Sequence, residues 1–417
     1  MKLRSLFFAV AVCMALIAIP AMAQPVNVLD TNDSPSATLL MPFFQVDLGN
    51  SNGWTTVMSI NNASATAVLA HVTVWSDMAV PVLAFNVYLT GYDVQAIDMR
   101  TIMSASLPQT ASAGQDPSDT RSPKGQFSQD INFASCNGQL PYAPLPAGYV
   151  PHIQNSLTGQ YSAFFNGCSG KAYGDNIARG YVTVDTVNNC TTRIAGDVGY
   201  FGAGGTGDAT NQNVLWGDFY YINATNNLAR GNSLIHVHAD ATSPDTSVAG
   251  DYTFYGSRIG WNANDNRQPL ATSYVTRYLN NVLFFPNGTE LLVWRDPKTK
   301  QSAFTCGTNP AWYPLGQEGI LAFDEAEHST TVNTIPFPLA TQTVAIGNAT
   351  LPLPNTRGWL YLDLNTTATG QASGLNDTAA AQALVTTAFN NSGRYSVGYR
   401  TIQLDSAANA NHIVPGP

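Results

Sequence analysis

Val68-Leu69-Ala70-His71-Val72-Thr73-Val74-Trp75 is the stretch on which the fold turns. Val68, Ala70, Val72 and Val74 fall on one face of an extended chain, because successive side chains of a strand point to opposite sides. A period of two in β-branched residues predicts a strand with one face in a core. The same pattern recurs on either side. Trp54 to Ile60 ends at Asn61-Asn62, Pro81 to Leu89 stops at Thr90-Gly91, and Tyr92 to Met99 follows. Short strands about 10 to 12 residues apart, separated by turn residues, predict a sandwich or a barrel.

Residues 107–176 break the rhythm. They are rich in Pro, Gly, Ser and Gln and include Pro141-Tyr142-Ala143-Pro144-Leu145-Pro146. A loop this long is unusual unless it is functional or tied down. Strand-like runs resume at Arg179 to Val187, Val198 to Phe201, Leu215 to Ile222 and Ser233 to Ala239. Together with the earlier runs they make about seven or eight strands, enough for one sandwich with an insertion. A Pro/Ser/Thr/Asp patch at 240–250 reads as a domain boundary. Beyond it, strands are predicted at Tyr252 to Tyr255, Glu290 to Trp294, Gly319 to Phe323 and Gly358 to Leu364. Ala379 to Phe389 reads either as an Ala-rich helix or, with Arg394 to Leu404, as a hairpin across Asn390-Asn391-Ser392-Gly393. The β-branched run and the Asn/Gly turn favour the hairpin.

Composition fixes the compartment. Lys2 and Arg4 precede an apolar run from Leu6 to Ile19, Pro20 ends it, and Ala21-Met22-Ala23 is a signal-peptidase pattern before Gln24. The run is too short to span a bilayer, which takes about 20 apolar residues. Removing residues 1–23 takes away two bases and no acid, so the net charge moves from −9 to −11. So acidic a chain, without a basic run, repels phosphate backbones and anionic lipid, which argues against nucleic acid as a partner. Charged residues are only 11% of the chain, against about 25% in ordinary domains. Asn, Thr, Ser, Gly and Gln do the solvating instead.

Of five cysteines, Cys13 lies in the leader, where Val12 and the continuing apolar run argue against lipidation. The other four, Cys136, Cys168, Cys190 and Cys306, form an even set in an oxidising compartment, which predicts two disulfides. Without a C-x-x-C spacing, zinc lacks its usual cysteine signature. The favoured pairing is Cys136–Cys168, closing the excursion, with Cys190–Cys306 tying the two halves together.

Several segments resemble those of a group of uncharacterised exported bacterial proteins. They are Ala37 to Phe44, Ser59 to Ser64, Ala178 to Asp185 and Arg394 to Tyr399. The early strands are also similar to immunoglobulin- or fibronectin-like modules. The resemblance implies a β-sandwich and transfers no catalytic residue.

Candidate chemistry is sparse. In Ile235-His236-Val237-His238-Ala239-Asp240, the side chains of His236, His238 and Asp240 share one strand face, a pattern that suits zinc. Asp324, Glu325, Glu327 or His328 would complete the set, although that cluster reads more simply as a solvated turn. Asp30-Thr31-Asn32-Asp33 and Asn262-Ala263-Asn264-Asp265-Asn266 offer oxygen ligands for calcium, but neither completes a calcium loop. Gly202-Ala203-Gly204-Gly205-Thr206-Gly207 matches a dinucleotide motif in letters only, because no helix is predicted after it. Gly167-Cys168-Ser169-Gly170-Lys171 lacks the last glycine of a serine-hydrolase elbow. The seven tryptophans read as core or strand-pair aromatics rather than as a sugar-stacking surface.

The sequence therefore predicts an all-β protein of two immunoglobulin-like β-sandwich domains, 24–245 with an insertion at 107–176, and 246–417. It would be secreted, periplasmic or at the cell surface, with no membrane span. Its expected role is non-catalytic binding or structure, the partner being a protein or glycan at the cell surface. The alternative is a metal-assisted or glycan-directed hydrolase on the same scaffold. Zinc and calcium are the only cofactors the residues suggest.

Overall fold

The computed structural model describes residues 34–104, 106–108, 133–239, 253–259, 264–280, 288–297, 299–347, 351–353, 355–365, 382–391 and 395–404. The leader, the patch at 240–250 and Asp30 to Asp33 lie outside them. The chain is mostly β, arranged in four antiparallel sheets. The first has the order β10 (Ile235–Val237), β1 (Thr38–Asp47), β6 (Ile177–Val187), β3 (Val68–Ser76), β4 (Pro81–Leu89). The second runs β5 (Val94–Asp98), β2 (Trp54–Asn62), β8 (Asp218–Asn223), β9 (Leu228–Ser233), with β7 (Leu215–Trp216) also paired to β2.

The C-terminal part holds the other two sheets. One runs β14 (Ser329–Thr331), β13 (Gly319–Phe323), β16 (Arg357–Asp363), β11 (Ser273–Leu279), β19 (Ile402–Gln403). The other runs β15 (Thr341–Ala345), β12 (Thr289–Arg295), β17 (Ala383–Asn391), β18 (Tyr395–Arg400). The hairpin reading of the last section holds, with Asn391 opposite Tyr395. Among the described residues no helix is long and apolar enough to cross a membrane.

Val68, Ala70, Val72 and Val74 enter one core with Leu39, Met41 and Phe43 of β1 and Met58, Ile60, Phe219 and Tyr221 of the second sheet. The opposite face of β3 is buried as well, which period-two reasoning did not anticipate. Trp75, Leu40, Tyr181, Ile235 and Val237 form a second cluster with Phe254, Trp294, Trp312, Leu315 and Leu384. That cluster draws on both sides of the expected boundary. A third core, with Tyr274, Leu291, Val293, Leu360 and Leu362, lies wholly in the C-terminal part.

The disulfide pairing differs from the expectation. Cys136 bonds Cys190, and Cys168 bonds Cys306. Local packing explains both. Cys136 and Cys190 share a small buried cluster with Ala67, Leu69, Tyr88 and Val187, and the Cys190 N–H donates to Ser135 Oγ at 2.9 Å. Cys168 and Phe304 exchange two backbone hydrogen bonds of 2.8 and 2.9 Å, which bring Cys306 within reach of Cys168. Neither bond closes the excursion on itself; each ties one point of it to chain outside it.

Within the excursion, α2 (Tyr149–Leu157) buries His152, Ile153, Ser156 and Leu157; the shorter α1 (Met99–Met103) precedes it. Pro151 and the uncapped Gly148 hid α2 from the sequence, but proline is tolerated in a first helical turn. Two predicted strands are not strands. Val198 to Phe201 is a turn, with Tyr200 N–H donating to Asp197 O at 3.1 Å, and Phe254-Tyr255 is a turn leading into α3 (Gly256–Ile259). In both places a buried tyrosine hydroxyl adds an anchor to backbone bonds such as Ala209 N–H on Tyr200 O and Phe254 N–H on Arg267 O.

Candidate ligand-binding crevice

Asp185, on β6, organises the centre of the molecule. Its Oδ2 accepts from the hydroxyls of Tyr200 at 2.7 Å and Tyr255 at 2.9 Å. Its Oδ1 accepts from Thr38 Oγ1 and from Arg267 Nε, the latter at 3.2 Å. Arg267 also meets Asp265 at 3.4 Å and donates to Thr210 O at 3.0 Å. All of these side chains are buried, so the carboxylate needs this many donors to offset its lost hydration. Burial and then the Asp185 charge push both tyrosine hydroxyls well above their ordinary range. Burial would lower Arg267, but Asp185 and Asp265 outweigh it and hold the guanidinium charged.

Tyr255 joins this centre to a crevice. Trp75 and Tyr181 are directly opposed residues of β3 and β6, and their rings stack at 5.7 Å and 6°. Trp294 of β12 stacks on Phe254 at 5.6 Å and 16°, and meets Tyr181 edge-on at 5.9 Å. The two stacks come from opposite sides of the expected boundary. They line a narrow concavity, whose aromatic walls are at most 5% exposed, together with Ala79, Thr183, Tyr255, Ser257, Arg258, Asp296, Pro297 and Thr299. Trp75 Nε1 donates to Thr183 Oγ1 at 2.9 Å, which fixes the indole. Arg258 places its Cζ over Trp75, 4.5 Å from the ring centre, and its Nε donates to Ala195 O at 2.8 Å. Burial lowers the Arg258 pKa. Asp296 Oδ2 accepts from Gln382 Nε2 at 2.9 Å. The arrangement sets a few directed polar groups beside buried aromatic walls at one narrow opening.

A second concavity is lined by Phe219, Tyr221, Arg230, Glu290, Leu292 and Thr387, among others. Its charges are already satisfied: Arg230 meets Glu290 at 2.7 Å, and Asn390 bonds both.

The predicted site residues fall elsewhere. His236 is buried in β10 opposite Leu39, and Ile235 and Val237 enter the second core as expected. His238 follows the strand and bonds Ser34 Oγ at 3.0 Å. Asp240 lies outside the described residues. Among the described residues no three His, Cys, Asp or Glu side chains converge as a metal site would require. Asp324 to His328 is a turn between β13 and β14, closed by Asp324 Oδ1 on the Ala326 and His328 N–H groups. Of the second calcium candidate, residues 262 and 263 are not described, and Asp265 is spent on Arg267 and the Tyr255 N–H. Gly202 to Gly207 is a tight turn, with Gly205 N–H on Gly202 O at 2.9 Å.

Sequence reasoning placed Trp75 and Trp294 as strand aromatics, which they are, but could not see that both meet Tyr181. Arg258 and Asp296 carried no local signal at all.

No protein-family model and no curated protein matches this chain. Among solved structures, an α-L-rhamnosidase of Streptomyces avermitilis aligns at a TM-score of 0.19 and 11% identity, over 90% of this chain and 26% of that one. The BSP domain of a biofilm-associated protein aligns at a TM-score of 0.19 and 10% identity, over 89% of this chain and 60% of that one. The chain thus spans about a quarter of the first structure and three-fifths of the second.

Proposed function

We propose that this chain is an exported, non-catalytic binding component of the cell surface or periplasm, and that the aromatic crevice is its binding site. It is built, in this reading, as two β-sandwich units, 24–245 and 246–417, that share a core and act together. The resemblance to exported bacterial proteins with immunoglobulin-like modules is in keeping with this, as are the leader and the two disulfides.

One observation carries the binding reading: the Trp75–Tyr181 and Phe254–Trp294 stacks, contributed from either side of the boundary, line one concavity with Arg258 and Asp296. The partner is a protein or glycan at the cell surface. Capture of purified cell-envelope material by the full oxidised chain tests this, alongside a Ser257→Trp variant that fills the crevice. Saturable capture by the wild type, lost in Ser257→Trp, is the expected result. Capture unchanged by Ser257→Trp removes the crevice from the account. Sequencing the N-terminus of exported protein tests the address, and Gln24 is the expected first residue.

A further inference from the structure

We infer that the outer face of the second sheet docks a basic segment of another protein, seating an arginine of that segment on Asp218 between Trp216 and Tyr220. This surface is separate from the crevice, and the inference goes beyond the reading above.

Trp216 lies opposite Asn61 and Tyr220 opposite Val57, so β7 and β8 continue one register along β2. Trp216, Asp218 and Tyr220 therefore alternate onto one face, about 7 Å from one to the next. Unlike the crevice walls, both aromatic residues are exposed, Trp216 by 42% and Tyr220 by 46%. A Cβ on Gly231 of β9 would lie 2.4 and 2.5 Å from two ring carbons of Tyr220, so that ring rests across the glycine. Asp218 Oδ1 accepts from Ser59 Oγ at 2.8 Å. Among the described residues Oδ2 meets only the Tyr220 hydroxyl, at 3.5 Å.

The molecule shows twice what an aromatic ring beside a carboxylate holds. Tyr173 and Asp175, also two residues apart, hold Arg179. Its guanidinium carbon lies 4.3 Å from the ring centre, and its terminal nitrogens donate to both carboxylate oxygens, at 2.9 and 2.5 Å. Arg230 lies 5.3 Å from the Tyr221 ring centre and pairs with Glu290 at 2.7 Å. A guanidinium suits such a seat because its plane stacks on a ring while its edge forks onto a carboxylate. Among the described residues no cation lies over Trp216 or Tyr220, and none pairs with Asp218.

Charge complementarity sets the partner. Positions facing the same way on β2, β5 and β9 include Asp98 and no Lys, Arg or His. The whole chain carries a net charge of −9, so its field draws cations and repels anions. Val94, 61% exposed and opposite Asn61 on β5, extends the apolar footing about 10 Å across β2 from Trp216. That footprint is larger than one side chain and fits a segment of a protein rather than a lone cation.

The test is titration of the full, oxidised chain with a short arginine–serine peptide, its lysine–serine counterpart and a neutral oligosaccharide. Calorimetry reads binding, sedimentation reads self-association, and thermal melting checks folding. Saturable binding of the arginine peptide is expected, tighter than that of the lysine peptide and weakened by added salt. Asp218→Asn, Trp216→Ala and Tyr220→Ala should each weaken it tenfold or more at an unchanged melting temperature, since all three side chains lie at the surface. Glu327→Gln, which removes the same charge from an exposed turn, and Ser257→Trp, which fills the crevice, should leave it as in the wild type. No binding of the arginine peptide, equal binding of the lysine peptide, or equal weakening by Glu327→Gln overturns the proposal. So does binding of the oligosaccharide in place of the peptide, or self-association that Trp216→Ala abolishes, because each assigns the face to another occupant.

Discussion

Asp77 sits in the turn between β3 and β4 with its carboxyl buried. Its Oδ1 accepts the Lys171 N–H at 3.0 Å, while Oδ2 has no hydrogen-bond partner among the described residues. Burial pushes its pKa up from 3.8 to about 7, against the partial opposition of the Lys171 N–H and the Arg179 charge. The folded state therefore holds a proton that the unfolded chain releases near 3.8. Stability from this group is complete below about pH 4, declines as pH rises, and is gone above about pH 7. Asp77→Asn should remove that slope. Relative to wild type, the variant should gain on the order of 4 kcal/mol between pH 4 and pH 8, taking about 1.4 kcal/mol per pKa unit. Urea unfolding at both pH values measures it, and a wild-type-to-variant difference that does not change with pH contradicts the assignment. No residue of this kind was legible in the sequence. Asp77, Asp185 and Arg258 are isolated letters whose partners come from remote segments, whereas the cysteine set announced itself by count and compartment.

At the scale of elements, legibility followed local pattern. β3 and the β17–β18 hairpin were readable because alternation and turn residues are local signals. β11 and β15 were not picked out, and α2 was masked by Pro151. Val198 to Phe201 and Thr253 to Tyr255, the described part of the second predicted run, are not strands, and their Tyr200 and Tyr255 hydroxyls serve Asp185. The disulfide pairing was misread because the contacts that set it, such as Cys168 with Phe304, are long-range.

Strand packing also yields a sharp test. β1 carries a register shift between Met41 and Phe44, beside which β6 places Gly180. A Cβ on Gly180 would lie 1.9 Å from Trp75 O and 3.0 Å from the Phe44 ring. Backbone cannot yield as a flexible side chain does. Gly180→Ala should therefore destabilise by about 1–3 kcal/mol or more, read as a lowered urea midpoint. A wild-type midpoint would mean that β1, β6 and β3 do not pack this way.

At the scale of the whole molecule, the two halves are joined by more than a linker. Ala340 and Thr341 donate backbone N–H groups to Asp77 O at 3.1 and 3.3 Å, and Thr341 Oγ1 donates to Pro42 O at 2.5 Å. The second core and the Cys168–Cys306 bond cross between the same regions. Cys168→Ser/Cys306→Ser should lower stability by about 2–5 kcal/mol yet keep one cooperative transition, since the shared core persists. Two resolved calorimetric transitions in that variant would show independent halves. Composition and alternation made the all-β class readable. The joint between halves was not, because it is built from side chains far apart in sequence.

The central claim is that both halves together form one ligand site. Hydrogen exchange on the full chain, free and in the presence of purified cell-envelope material, tests it most directly. The account predicts added protection at Trp75 to Ala79, Tyr181 to Thr183, Phe254 to Arg258 and Trp294 to Pro297 at once. Protection confined to one half, or lying away from these segments, would contradict it.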